Sequence, residues 1–330
     1  MKAYIKDISY YLPEKIVTNE DIVNDFPEWS VDKIADKVGV CQRHVATSET
    51  ATDLAIKAAE KLFANGKVSK EDVDFVLLCT QSPDYKLPTS SCIIQDRLGL
   101  QVNTGALDFN LGCSGYEYGL ALAKGLVVAN ISQNVLLLTA ETYNKYLHPK
   151  DKGNRTIFGD GASATIVSSE GFAEIGEFVL GTKGSGAEFL MVNTGGARNP
   201  EKKNIVEYDN DGNPKSPDFL FMDGQEIFMF TLMTVPKMIK QTLAKHQIEK
   251  ENIDLFVFHQ ANKYMLEHLR GKLKIDDDKF FVNLENIGNT VSSTIPIALS
   301  DAKEQGKLKG NVLIAGFGVG LSWGATILKI

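Results

Sequence analysis

Two blocks of this chain occur twice. Ser69-Lys70-Glu71-Asp72-Val73-Asp74-Phe75-Val76 returns as Glu249-Lys250-Glu251-Asn252-Ile253-Asp254-Leu255-Phe256, 180 residues later. Asn134-Val135-Leu136-Leu137 returns as Asn311-Val312-Leu313-Ile314, 177 residues later. Blocks repeated in one order at nearly one spacing imply a duplicated chain. Its halves are read as residues 1–172 and 173–330. Each alternates strand and helix patterns, so each is expected to build a mixed, largely parallel sheet with helices packed on it. Two such α/β copies about a pseudo-twofold axis leave a cleft between them. Residues just after equivalent strands in both halves are then expected to line one site.

The first half reads as a strand at 3–10, a short helix capped by Asn19-Glu20-Asp21, and an irregular polar stretch from Trp29 to Val45. A helix follows over 50–64, on the apolar period of Leu54, Ala55, Ala58 and Leu62. Buried strands are expected at 73–78, 105–109, 134–139 and 165–167, and helices at 88–98 and from Cys113 to about Val128. In the second half, residues 181–224 are rich in Gly, Asn, Asp and Pro and read as an excursion over a site. Helices are expected at 225–246, 262–272 and 290–304, and strands at 254–258, 311–315 and 322–330.

Composition excludes several function classes. A net charge of −7 with both signs spread throughout leaves no electrostatic footprint for nucleic acid. The four cysteines, at 41, 79, 92 and 113, lack metal-ligand spacing. No stretch approaches the roughly 20 apolar residues of a membrane span, and the first residues lack a signal-peptide core. A soluble protein of the reducing cytoplasm, acting on neither membrane nor nucleic acid, is expected.

Chemistry concentrates at four places. Asp108-Phe109-Asn110-Leu111-Gly112-Cys113-Ser114-Gly115-Tyr116 sets a thiol between a strand and a helix, where the helix dipole favours thiolate. The same stretch also suits a small buried core residue, and taken alone it does not decide. His259 ends a buried strand where a helix starts, the usual place for ligand-facing groups of α/β sheets. His44, His148, His246 and His268 read as surface groups. Asn286-Ile287-Gly288-Asn289-Thr290 is either a functional turn or a helix cap. Gly316-Phe317-Gly318-Val319-Gly320 is either a hairpin or a turn whose bare N–H groups face an oxyanion.

Together these segments resemble one family. Leu111-Gly112-Cys113-Ser114-Gly115, His259-Gln260-Ala261-Asn262, Gly288-Asn289-Thr290 and Gly316 to Gly324 are similar to the motifs of the β-ketoacyl-[acyl carrier protein] synthase III family. Phe158 to Ala162 and Met222 to Phe228 resemble its remaining landmarks, so the likeness spans the chain in order. It implies a thiolase-like fold of layered α-β-α-β-α architecture, a homodimer, and no cofactor beyond the thioester substrates. It also implies a reaction. Cys113 takes the acyl primer from acyl-CoA, and malonyl-[acyl carrier protein] then undergoes decarboxylative Claisen condensation, initiating fatty acid synthesis. By this resemblance His259 and Asn289 stabilise the malonyl enolate, and the Cys113 and Val319 N–H groups form the oxyanion hole. Phe228 and Asn262 fall among substrate-binding positions. Degradative thiolases need a second cysteine beyond Cys113, elongating synthases a histidine where Asn289 stands, and hydroxymethylglutaryl-CoA synthases a glutamate base for which Glu117 is no obvious equivalent.

The pattern departs where the family grips CoA. Lys33 stands at the position of an adenine-stacking tryptophan, Trp29 lies four residues earlier, and Lys152 replaces the opposing arginine. Lysine does not stack on a purine as guanidinium does. Leu87 occupies the place of an aromatic residue that reaches the partner's acyl pocket. Lys263, Arg270, Lys272 and Lys274 are candidates for docking an acidic carrier protein. These departures keep open a specialised relative that makes acyl chains for secondary metabolites or surface polysaccharide. A non-catalytic partner subunit of the same fold is disfavoured by the intact Cys113, His259 and Asn289.

Overall fold

Each repeated block is a strand clamp. The computed structural model describes residues 1–209 and 212–330. In its first half Asp74 accepts the Asn134 backbone N–H at 3.1 Å, and Asn134 Nδ2 donates to the Asp72 carbonyl at 3.1 Å. In the second, Asp254 accepts the Asn311 N–H at 2.8 Å, and Asn311 Nδ2 donates to the Asn252 carbonyl at 3.0 Å. The same two side chains therefore start the same parallel strand pair twice.

The main strands in chain order are β1 (Tyr4–Tyr11), β2 (Phe75–Cys79), β3 (Gly105–Phe109), β4 (Asn134–Glu141) and β5 (Gly161–Ser168). They continue as β6 (Ala173–Ile175), β7 (Val179–Thr182), β8 (Leu255–Phe258), β9 (Asn311–Gly318) and β10 (Ser322–Lys329). They join into one ten-stranded sheet of order β8-β9-β10-β6-β1-β5-β4-β2-β3, with β7 also pairing β10. Strand order repeats: β2 lies parallel to β4 as β8 does to β9, and β4 runs antiparallel to β5 as β9 does to β10. β1 has its counterpart in the interrupted pair β6 and β7, and a parallel bridge from Phe256 to Phe280 stands where β3 would be.

Only β2–β3, β2–β4 and β8–β9 are parallel, so the expectation of largely parallel sheets is corrected. The physical reason is that a strand buried on both faces reads as a continuous apolar run whichever way it points. β5 is such a strand, buried at every residue.

The helices are α1 (Asn19–Asp25), α2 (Val31–Val38), α3 (Ala51–Ala64), α4 (Ser90–Arg97), α5 (Gly115–Val128), α6 (Lys152–Ile157), α7 (Gly224–His246), α8 (Lys263–Leu273) and α9 (Thr294–Glu304). α1 is capped by Thr18 rather than by Asn19, in a reciprocal pair with Asp21. α2 falls inside the stretch expected to be irregular. Its apolar residues Val31, Ile34, Ala35 and Val38 do keep helical spacing, Ser30 caps its start and Gly39 (φ 75°) its end, so this helix is legible in the sequence. The helix expected over 290–304 opens with a 3-10 turn at Val291–Ser293.

One apolar cluster takes α5 and α9 together with β-strand residues of both halves, including Leu77, Leu137, Val257 and Ile314. Both ends of the sheet therefore pack on the same two helices. α3 and α4 cover one outer face, and α7 and α8 the other. This is the layered α-β-α-β-α arrangement, with the N-termini of α5 and α9 brought into the middle. Among the described residues no helix is long and apolar enough to cross a membrane.

Candidate active site

Cys113 sits two residues before α5, at the mouth of the central layer. The preceding strand is fastened by Asp108, whose carboxylate accepts the Ser90 and Ser91 N–H groups at 2.5 and 2.8 Å. The glycine turn of the other half closes over the thiol. A β-carbon on Gly318 would lie 2.9 Å from both Cβ and Sγ of Cys113, closer than real contacts allow. The Cys113 and Val319 backbone N–H groups both face the sulfur. The Ser322 hydroxyl donates to the Val319 carbonyl at 2.9 Å and so accepts from the Ser114 hydroxyl at 2.6 Å, tying the turn to the nucleophile's helix.

Burial overrides the helix in setting the thiol's acidity. Desolvation, then the Glu141 carboxylate, push Cys113 up to about 12, while its own N–H and that of Val319 pull the other way. Burial thus works against the acidifying pull expected of the helix and favours the protonated thiol. Glu141 is itself raised to about 8 by burial, although it accepts the Gln81 N–H and the Ser82 and Ser292 hydroxyls.

His259 ends β8 as the sequence suggests, buried, with its ring edge-to-face on Phe317 of the glycine turn at 5.8 Å. Burial lowers its pKa to about 3, so it is a neutral imidazole. Its Nδ1 contacts the Thr294 hydroxyl at 2.7 Å. Asn289 is held by a parallel bridge to Phe158, and its Oδ1 accepts the Val291 N–H at 2.9 Å. That bond turns the Nδ2 donor away from Val291. A chain of contacts thus runs from Cys113 through Gly318 and Phe317 to His259, then through Thr294 and Val291 to Asn289. The three residues, drawn from both halves, are linked through their neighbours.

The chain is similar to known proteins of one family. The 3-oxoacyl-[acyl-carrier-protein] synthase III family model matches residues 107–184, and the model of that family's C-terminal part matches residues 243–330. A β-ketoacyl-[acyl-carrier-protein] synthase III of Caldanaerobacter subterraneus subsp. tengcongensis is 36% identical, over 97% of this chain and 95% of its own length. The chain belongs to the β-ketoacyl-[acyl-carrier-protein] synthase III family. A second such synthase, from Clostridioides difficile, is 35% identical over 99% of this chain and 98% of its own. A crystal structure of a 3-oxoacyl-(acyl-carrier-protein) synthase III superposes with a TM-score of 0.98, at 50% identity and full coverage of both chains. Another, from Burkholderia xenovorans LB400, does so at 0.90 with 34% identity, covering 100% of this chain and 94% of its own. The fold and enzyme class implied by the motifs, a thiolase-like condensing acyltransferase, follow from this membership.

The remaining sequence candidates are spread around this synthase III centre. Trp29, Lys33 and Lys152 do come together: the Lys33 ammonium stands 5.3 Å over the Trp29 ring, and Lys152 pairs with Glu28 at 3.0 Å. Phe228 packs against Tyr264, tilted at 5.4 Å, and edge-to-face on His268 at 5.5 Å. Asn262 is the cap of α8, its Oδ1 accepting the Met265 N–H at 2.9 Å. Leu87 is 82% exposed.

The four docking candidates do not form one open basic face. Lys263 lies 4.0 Å from Glu267, and Arg270 pairs with Asp277 at 3.4 Å. Lys274 ends α8 at φ 50°. Lys272 donates to the Leu232 carbonyl at 2.8 Å, the group left without a helical partner by Pro236 four residues on. Of the histidines expected at the surface only His268 is exposed. His246 is half-buried, accepting the Glu177 N–H through Nε2.

Two features escaped sequence reading. Thr294 and Val291 act only through contacts made in the fold. Glu117, set aside above only as no equivalent base, is fully buried in the first turn of α5, its carboxyl oxygens met by no donor but its own backbone N–H.

Proposed function

We propose that this enzyme primes fatty acid synthesis by passing an acyl group through Cys113 and condensing it with malonyl-[acyl carrier protein]. The observation that carries this is the run of contacts that links Cys113, His259 and Asn289 across both halves, with the N–H groups of Cys113 and Val319 at the sulfur. In the first half-reaction the Cys113 sulfur attacks the primer thioester. The new C–S bond replaces the one to the departing thiol, which takes up the cysteine's proton. The developing oxyanion lies under the two N–H groups. Malonyl thioester then loses carbon dioxide. Its enolate oxygen is held by Nε2–H of His259 and Nδ2–H of Asn289, while its carbon attacks the acyl-cysteine. The Cys113 thiol is regenerated on proton uptake. Cys113 and the two thioester substrates supply all the reacting groups, and no cofactor is needed.

On this reading the halves divide at 172/173, the nucleophile coming from the first and both enolate donors from the second. A homodimer is supported by Leu87 and by edge strand β3, whose Leu107 is exposed. The four cysteines are unpaired thiols, which suits the cytoplasm. Phe228, on α7 and packed against Tyr264 and His268 of α8, is read as a substrate-side residue.

A specialised role with a different primer carrier is the second reading, favoured by one observation. Lys33 already occupies the Trp29 face on which an adenine would stack, and Lys152 is drawn to Glu28. Intact-mass measurement of Cys113 acylation across acyl-CoAs and acyl-carrier proteins tests both. Acylation by acetyl-CoA supports priming, acylation by carrier-bound acyl groups alone supports the specialised role, and acylation by neither refutes both.

A further inference from the structure

A neutral imidazole has one proton and two nitrogens, and the partner of one nitrogen decides what the other offers. His259 Nδ1 lies 2.7 Å from Thr294 Oγ1, and that hydroxyl lies 3.1 Å from the Val291 carbonyl. One hydroxyl proton therefore faces two acceptors. We propose that Thr294 donates it to His259 Nδ1, leaving the ring proton on Nε2, so that Thr294 is a positioning residue for the condensation half-reaction. This deepens the proposed function and rests on its assignment of His259.

Three observations support the assignment. The contact to Nδ1 is the shorter of the two and lies in the ordinary range for a hydroxyl donor. The ring is held neutral by its burial, so Nδ1 is free to accept once the ring proton sits on Nε2. His259 and Thr294 are both buried, so no bulk water takes the place of either partner.

Val291 extends the device. It is a β-branched residue at φ 57°, a left-handed conformation that costs such residues about 1–3 kcal/mol. Its N–H orients the Asn289 amide while its carbonyl flanks the Thr294 hydroxyl. One strained residue thus sets the registration of both enolate donors, which explains why the turn tolerates it.

The test uses the full-length enzyme with ¹⁵N-labelled histidine. In the wild type, His259 is expected to show a protonated Nε2 and a bare, hydrogen-bonded Nδ1. Thr294→Val, which keeps the shape and removes the hydroxyl, is expected to cut condensation turnover about tenfold to hundredfold, below the hundredfold to thousandfold for outright loss of one preorganised donor, because the His259 ring stays in place. Cys113 acylation should stay near wild type, and Thr294→Ser should recover most of the condensation rate. A wild type that acylates but carries the proton on Nδ1 overturns the assignment, as does Thr294→Val condensing at the wild-type rate. If Thr294→Val fails to fold, the wild-type spectrum decides alone. A wild type that never acylates Cys113 refutes the proposed function instead.

Discussion

Replacing Glu117 with methionine should make this enzyme more stable. The side chain lies in the first turn of α5, wholly buried, and apart from the residue's own backbone N–H its carboxyl oxygens have no donor. It is packed against glycines: a β-carbon on Gly316 would lie 2.3 Å from its Oε2, and one on Gly324 2.8 Å from its Cβ. Burial raises its pKa well above the usual 4.5. The sign follows. A carboxyl whose folded pKa is raised leaves the protein most stable below the unfolded value, and stability falls as pH rises from there through the folded value. An unsatisfied buried polar group costs about 1–3 kcal/mol, and methionine has similar length and volume without one. Glu117→Met is therefore expected to gain about 1–3 kcal/mol at pH 7, read by urea unfolding between pH 5 and 8, and to lose part of the downward slope with pH. Glu117→Gln should also lose that slope but keep the polar cost. If Glu117→Met is less stable than wild type, or all three share one pH profile, the carboxyl has a further partner and the reasoning fails.

Cys113→Ala should abolish acylation, whereas His259→Ala and Asn289→Ala should keep it and lose condensation by about 2.7–4 kcal/mol in barrier per donor; equal loss of both half-reactions, measured by intact mass and carbon dioxide release, would contradict this division. Acylation should speed up steadily from pH 6 to 9, because the thiol is raised to about 12, and a plateau near pH 7 would refute that. Condensation from pre-acylated enzyme should show no histidine inflection between pH 5 and 8, since His259 stays neutral above about 3. Lys272→Met should cost about 1 kcal/mol in thermal or urea unfolding, and almost nothing alongside Pro236→Ala, which restores a backbone donor to the Leu232 carbonyl.

What could be read from the chain was what short runs of residues express. The repeated Asp and Asn of the strand clamps, the glycines around Cys113 and His259, and the strand–helix alternation all act locally, and all led to the fold and the family. What stayed hidden depends on partners far away in sequence. The thiol's acidity turns on burial and on Glu141, which no helix-dipole argument contains. Sheet direction is silent in strands such as β5 that are buried throughout. Asn262 and Lys272 carry residue types suited to binding, yet their atoms are engaged in capping α8 and mending the Pro236 gap in α7. Thr294 became visible only once α9 was set beside β8.

The three-residue strand β6 has a consequence for how the polypeptide closes on itself. Glu174 pairs across the sheet with Tyr4 on one side and Lys329 on the other. With strands spaced about 4.8 Å apart, the two ends of the chain come within about 10 Å of each other. In space the polypeptide is nearly a ring, and the order of its halves is a matter of where that ring is cut. A short linker from Ile330 to Met1, with new ends opened in the 192–220 excursion, should give a circular permutant that rebuilds the same centre.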